Sequence, residues 1–175
     1  MRLFIAFPVP PEPLQHIQRT FLRNSTKVVR PLRDFHCTLL FLGEIDEERL
    51  PSLCDLFSSF DRPAFEARYA SLCFLPSRHF FRVIALSLEP QSTFFSFYRH
   101  AISHFASFVS QPSISYVPHV TLARVNSSHS RSFLESFPSE IPMPDPFVID
   151  RLQLIRSVLL SGGPTYTALR EVNLS

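Results

Sequence analysis

One four-residue phrase occurs twice, and nothing else in the chain restricts its fold as much. His36-Cys37-Thr38-Leu39 and His119-Val120-Thr121-Leu122 each hold a histidine and a threonine two residues apart, in a run that reads as a strand. Successive side chains of a strand point to opposite faces, so imidazole and hydroxyl share a face, about 7 Å apart along the chain. Two such strands set side by side would offer two imidazoles and two hydroxyls to one cleft. With seven His, seven Thr and 22 Leu among 175 residues, a random chain of this composition holds roughly 0.04 copies of His-x-Thr-Leu. Two copies arise by chance in fewer than about one such chain in a thousand.

The order of parts repeats with the phrase. Residues 1 to 45 read as a strand (Met1 to Val9), a helix opened by Pro10-Pro11 and carrying Leu14, Ile17 and Phe21, and the motif strand Phe35 to Leu42. Residues 81 to 125 read likewise. Phe81 to Leu88 is a strand, a helix after Pro90 carries Phe94, Phe97, Tyr98, Ile102, Phe105 and Val109 as far as Gln111-Pro112-Ser113, and His119 to Val125 is the second motif strand. This predicts an internal duplication: one domain over residues 1–175, made of two related α+β lobes. Val28 to Pro31 is a short extended piece. Asp46 is the expected N-cap of a second helix, with Glu47 and Glu48 in its first turn and Leu50, Leu53, Leu56, Phe57 and Phe60 as its apolar stripe. Phe65 to Tyr69 reads as a strand, followed by a turn at Leu75-Pro76-Ser77-Arg78. A short helix is expected over Ser130 to Phe137. Strands Phe147 to Val158 and Thr165 to Val172 flank a turn at Gly162-Gly163-Pro164.

Composition removes several classes of function. Only three glycines are present, so a glycine-rich phosphate loop is not available and any phosphate must be held by side chains. A net charge of +2 excludes a broad electrostatic footprint for long duplexes, yet leaves room for a local basic cleft. Arg30, Arg82 and Arg156 are candidates for its rim. Cys37, Cys54 and Cys73 are odd in number and lack metal-type spacing, which argues against a disulfide framework or a zinc site and for a reducing cytoplasm. No run approaches the ~18 apolar residues of a membrane helix. Leu3 to Phe7 is halted by Pro8 and Pro10 and reads as a first strand, not a signal-peptide core.

The candidate chemistry follows from residue type. An unperturbed imidazole pKa near 6.5 lets one of His36 and His119 be protonated while the other is neutral, an acid and a base around neutrality. Chemistry alone leaves open which is which. Thr38 and Thr121 are suited to donate hydrogen bonds to oxygens that gain charge. Cys37, Leu39, Val120 and Leu122 complete the two motifs. Alternation turns Cys37 away from His36, so a Cys–His nucleophile is not expected. A metal on His36 and His119 would need a third protein ligand, and none is evident; neither metal nor cofactor is required. Strict alternation puts Arg124 on the opposite face, so it reaches the cleft only through a bulge. Phe41, Tyr116 and Tyr166 are candidates for stacking on a base. His16, His100 and His104 on helices, and His79 and His129 in turns, are expected to face solvent.

With both motifs placed, the chain resembles the 2H phosphoesterase superfamily, and within it the RNA 2′,3′-cyclic phosphodiesterase branch, historically also called 2′-5′ RNA ligase. The resemblance is carried, in order, by Arg2-Leu3-Phe4-Ile5-Ala6, His36 to Gly43, Pro118 to Arg124, Arg156-Ser157 and Gly162 to Tyr166. The chain departs from the family at Leu40, often arginine there, and at Ile84-Ala85, where tryptophan often follows Arg-Val. The resemblance implies a bilobal, pseudo-twofold α+β fold, with two mainly antiparallel sheets and outer helices around a central cleft. It implies metal-independent hydrolysis of RNA 2′,3′-cyclic ends to 2′-phosphate ends, with His36 as proton donor to the leaving 3′ oxygen and His119 as proton acceptor from water. Thr38, Thr121, Arg124 and Phe41 would hold substrate. The partners implied are RNA 2′,3′-cyclic phosphate ends or nucleotides, with no membrane and no obligate protein partner, the chain acting as a monomer. Three alternatives stay open: 2′-5′ ligation, a sister activity on another cyclic phosphate, and a non-catalytic module that holds RNA ends or nucleotides.

Overall fold

Each motif strand lies on the inner side of its own antiparallel sheet, and the two strands meet. In the computed structural model, which describes residues 1–22, 29–109, 115–125, 141–161 and 163–175, the first half runs β1 (Arg2–Pro8), α1 (Pro11–Ile17), β2 (Val29–Pro31), β3 (His36–Glu44), α2 (Leu50–Ser58) and β4 (Phe65–Pro76). The second runs β5 (Phe81–Glu89), α3 (Gln91–His104), β6 (His119–Val125), β7 (Phe147–Ile149), β8 (Arg151–Leu160) and β9 (Gly163–Asn173). The strands join in one nine-stranded order, β7-β4-β5-β6-β3-β1-β8-β9, with β2 also pairing β6; it divides between β3 and β6 into two wings, each treated below as a sheet, β3-β1-β8-β9 and β6-β5-β4-β7. A single residue pair, Cys37 opposite Val120, joins β3 to β6. This is the expected pair of mainly antiparallel sheets, and the joint between them is a seam.

The sheets are interleaved in sequence. β8 and β9, last in the chain, complete the sheet begun by β1 and β3, while β4 from the first half completes the sheet of β5 and β6. The expected strand Phe147 to Val158 therefore breaks at Asp150. β7 pairs with β4 in one sheet and β8 pairs with β1 in the other, and one straight strand cannot serve both.

The faces of the seam are unlike. Cys37, Leu39, Val120 and Leu122 are buried under α3, whose Phe94 and Phe97 meet Phe7 of β1 edge-on at 5.6 and 5.5 Å. Such pairs add about 0.5–1.5 kcal/mol each beyond the area they bury. The other face, which carries His36, Thr38, His119 and Thr121, is open.

Several local expectations are corrected. α1 carries on as a wider π turn, Gln18–Leu22. Asp46 stands at the N-cap of a 3₁₀ turn, Glu47–Arg49, that leads into α2, but its side chain makes no capping bond. β4 extends through Pro76, so the turn begins later than Leu75. α3 stops at His104 because Phe105, fully buried, leaves the helical path to pack between Phe57 and Phe60. His100 and His104 do not face solvent freely: their rings lie 5.1 and 5.4 Å from Phe60, and His104 Nε2 is 2.9 Å from the Leu56 carbonyl. His129 and the helix expected over Ser130 to Phe137 fall outside the described residues. Among the described residues, no helix is long and apolar enough to cross a membrane.

Candidate active site

The two motif strands share one irregularity, and it shapes the site. From the histidine onward both show the same sequence of exposures: half-buried, buried, half-buried, buried, buried, exposed, buried. The repeated buried pair marks a slip of one residue. In β3 the partner on β1 jumps from Thr38 to Leu40, leaving Leu39 unpaired; in β6 the partner on β5 jumps from Thr121 to Ala123, leaving Leu122 unpaired. A bulge of this kind reverses the facing of every later residue. Phe41 and Arg124 thereby arrive on the same face as the histidines, one from each strand. Leu40, at the position where an arginine was often expected, is buried in the core at 3% exposure.

Further bonds hold the second bulge in place. The Leu122 carbonyl accepts from the Leu32 backbone N–H at 3.0 Å and from Gln18 Nε2 at 2.7 Å, and Gln18 also donates to the Leu32 carbonyl at 2.8 Å. One amide side chain at the end of α1 thus ties β2 to the bulged part of β6.

The open face forms a cleft of about 690 Å³ that contains His36, Thr38, His119 and Thr121. Antiparallel pairing of Cys37 with Val120 sets His36 opposite Thr121 and Thr38 opposite His119. The imidazoles are then diagonal neighbours, and such positions lie about 7–8 Å apart in an ordinary ladder. Among the described residues, three guanidiniums, those of Arg2, Arg30 and Arg124, line the cleft with one carboxylate, Asp34. Arg30 and Arg124 are direct cross-strand partners, an arrangement of like charges that costs free energy unless an anion lies nearby. Gly163, at φ +112, belongs to the same wall: the space a Cβ would occupy is filled by the Arg30 guanidinium.

The two histidines live in different surroundings. His119 Nδ1 lies 2.7 Å from the Val117 carbonyl. A carbonyl can only accept, so Nδ1 carries the proton and Nε2 presents a lone pair. Burial lowers the pKa of His119, and the bond to Val117 pulls the other way. His36 is enclosed by rings instead, with Phe4 and Tyr166 each 5.0 Å away. Burial, reinforced by the charge of His119, draws its pKa down to about 4.

Of the other anticipated residues, Arg30, Phe41 and Tyr166 line the cleft, whereas Arg82 and Arg156 do not. Tyr116 stands beside the cleft, with its hydroxyl 4.0 Å from Cys37 Sγ. Cys37 has no exposed surface and burial pushes its thiol up to about 12, so it is inert. Arg2, Phe4 and Asp34 were missed. Arg2 and Phe4 had a signal, since they alternate on the face of β1 opposite Leu3 and Ile5.

The fold is one shared by solved phosphoesterase structures, and part of the sequence matches a phosphoesterase family model. The family model described as "LigT like Phosphoesterase" matches residues 7–84. Curated relatives named RNA 2′,3′-cyclic phosphodiesterase include one from Methanocaldococcus jannaschii, 26% identical over 98% of this chain and 99% of its own length. Another, from Thermus thermophilus, is 29% identical over 99% and 90%. A crystal structure from Thermus thermophilus shares the fold at TM-score 0.77 and 24% identity, covering 99% of this chain and 97% of that one. E. coli LigT solved with 3′-AMP does so at TM-score 0.76 and 23% identity, covering 99% and 98%. The chain is thus similar to the LigT-like phosphoesterases, over residues 7–84 in sequence and over nearly its whole length in fold.

Proposed function

We propose that this chain hydrolyses RNA 2′,3′-cyclic phosphodiester ends to 2′-phosphate ends by two-histidine acid–base catalysis, without a metal ion. The single observation that supports it most is the meeting of two His–Thr pairs on one open face, beside the facing arginines Arg30 and Arg124. The relatives named RNA 2′,3′-cyclic phosphodiesterase supply the substrate class.

His119, with Nδ1–H given to the Val117 carbonyl, takes a proton from the attacking water through Nε2. His36 donates a proton to the departing 3′ oxygen. Thr38 and Thr121 donate hydrogen bonds to the non-bridging oxygens, and Arg124 and Arg30 offset the phosphate charge. Phe41 stacks on the terminal base. A pKa near 4 leaves His36 neutral in the empty cleft at pH 7. A bound phosphate anion favours the charged imidazole, so His36 takes up its catalytic proton from solvent as the substrate binds.

The cleft is built within one chain, which supports a monomer forming one domain of two duplicated lobes. The free thiols of Cys37, Cys54 and Cys73 support a cytoplasmic setting. The deciding experiment incubates purified protein with a 2′,3′-cyclic mononucleotide and a cyclic-phosphate-ended RNA, with excess chelator, and reads the product by ³¹P NMR. A 2′-monophosphate at undiminished rate is expected. A 3′-monophosphate, or activity abolished by chelation, contradicts the proposal.

A further inference from the structure

The hairpin of β4 and β5 reaches the site from one side. Leu75 and Pro76, at the end of β4, line a chamber of about 450 Å³ that shares Thr38, Phe41 and His119 with the cleft. Val83, on β5, lines the cleft itself. Of the residues between Pro76 and Val83, all but Phe81 are exposed. Phe81 is buried against Phe74, with ring centres 4.8 Å apart, and so anchors the turn. The Phe80 N–H donates to Ser77 Oγ at 3.3 Å. The tip is a shaped loop that begins where the wall of the site ends.

Its exposed side chains are cationic and aromatic. Phe80 is 52% exposed, with the Arg82 guanidinium 5.6 Å from its ring centre. The Arg78 guanidinium lies 5.9 Å from the ring centre of Phe74. No Asp or Glu occurs between Glu66 and Glu89, and among the described residues neither Arg78 nor Arg82 forms a salt bridge. A guanidinium laid over a ring keeps the planar N–H fork that grips phosphate. An exposed ring takes a base of any identity. The β8–β9 tip offers the opposite. It lines the cleft through Leu159 and Leu160, both exposed, and no charged residue lies between Arg156 and Arg170. A phosphodiester chain leaving the cleft therefore meets cations on the β4–β5 tip and none on the β8–β9 tip.

Resting on the proposed hydrolysis, we infer that the β4–β5 tip is an exosite for the single-stranded RNA upstream of the cyclic end. The end sits between the histidines, and the strand on its 5′ side passes over the tip. There Phe80 stacks on a base, while Arg78 and Arg82 hold phosphodiesters. Arg82 directly precedes Val83 of the cleft wall, so a few nucleotides span the way from the reacting phosphate. Contacts this far from phosphorus bind ground state and transition state alike, so they lower KM and leave kcat unchanged. The preferred substrate is then an oligonucleotide end, and a cyclic mononucleotide is a minimal one.

The test measures kinetics of the full chain on uridylates ending in a 2′,3′-cyclic phosphate, from one to six nucleotides long. From mononucleotide to hexamer, kcat/KM should rise about tenfold or more through KM. Its log–log dependence on salt should steepen by about 1.4, from two phosphates at about 0.7 each. Arg78→Gln combined with Arg82→Gln, and independently Phe80→Ala, should remove most of the gain. Both should keep the mononucleotide rate within about twofold, which also shows that they fold. A kcat/KM independent of length, or a gain that survives both variants, overturns the exosite. So does sedimentation with phosphatidylserine vesicles that the same substitutions abolish while length has no effect, since the tip then serves an anionic membrane. Should wild type cleave no cyclic phosphate, yet bind the hexamer in fluorescence anisotropy where the variants do not, the hydrolase reading falls and the exosite stands.

Discussion

β3 and β6 present the same backbone twice and different chemistry each time. Both carry His-x-Thr, both slip by one residue immediately after the threonine, and both send the residue two beyond the slip into the cleft. On β3 that residue is Phe41; on β6 it is Arg124. The β3 histidine is wrapped by Phe4 and Tyr166, while the β6 histidine is pinned through Nδ1 by the Val117 carbonyl. A repeated backbone therefore sets where the groups stand, and the neighbours that differ give the two imidazoles unlike surroundings. The same contrast divides the cleft wall: an aromatic face on one strand, a cation on the other.

The largest effect expected comes from deleting either ring. His36→Ala and His119→Ala should each lower kcat by about 10²–10⁴-fold, with little change in affinity for a product nucleotide, and the double variant should cost less than the product of the two. Equal kcat in wild type and either variant would remove the acid–base contrast altogether. Next come the hydroxyls. Thr38→Ala and Thr121→Ala should each cost about 10²-fold in kcat, largely restored by Thr→Ser, as steady-state kinetics would show.

A third measurement sharpens the contrast between the rings. Calorimetry of 2′-nucleotide binding at pH 7, in buffers of different ionisation enthalpy, should show a proton taken up by wild type and much less by His36→Ala. The low pKa of His36 also carries a stability consequence. Its folded value, about 4, lies below the unfolded 6.5, so the unfolded chain binds the proton first as pH falls. Stability is intact above pH 6.5 and drops between 6.5 and 4, by about 3 kcal/mol at most. Denaturant melts across that range should be flatter for His36→Asn.

The smallest effect concerns the second bulge. Gln18→Leu removes the side-chain donor to the Leu122 carbonyl, so it should raise KM severalfold through a loosened Arg124 while kcat changes little. Added to Arg124→Ala it should do nothing more. An unchanged KM would separate Gln18 from the cleft.

Much of this site was legible before any coordinates. Period-2 spacing alone places His36 with Thr38 and His119 with Thr121, and it also says that Arg124 needs a bulge. The bulge is written in the pairs Leu39-Leu40 and Leu122-Ala123, two apolar residues in a row where alternation would ask for one. What local pattern does not contain is the crossing of strands between lobes. Arg2 and Phe4 enter the cleft because β1 neighbours β3, and Gly163 meets Arg30 across more than a hundred residues of chain. The break at Asp150 is of the same kind, since it arises from two sheets competing for one segment. Phe105 ends α3 early for a tertiary reason too, as Phe57 and Phe60 offer it more contact than another helical turn.

The account stands or falls on whether one imidazole gives a proton while the other takes one. The most direct test is kcat against pH from 5 to 9, in wild type and in His36→Ala. Wild type should give a bell, with an acidic limb from the base His119 and an alkaline limb from the acid His36, and the variant should keep the acidic limb and lose the alkaline one. A wild-type profile flat across that range, or a variant that retains both limbs, would contradict it.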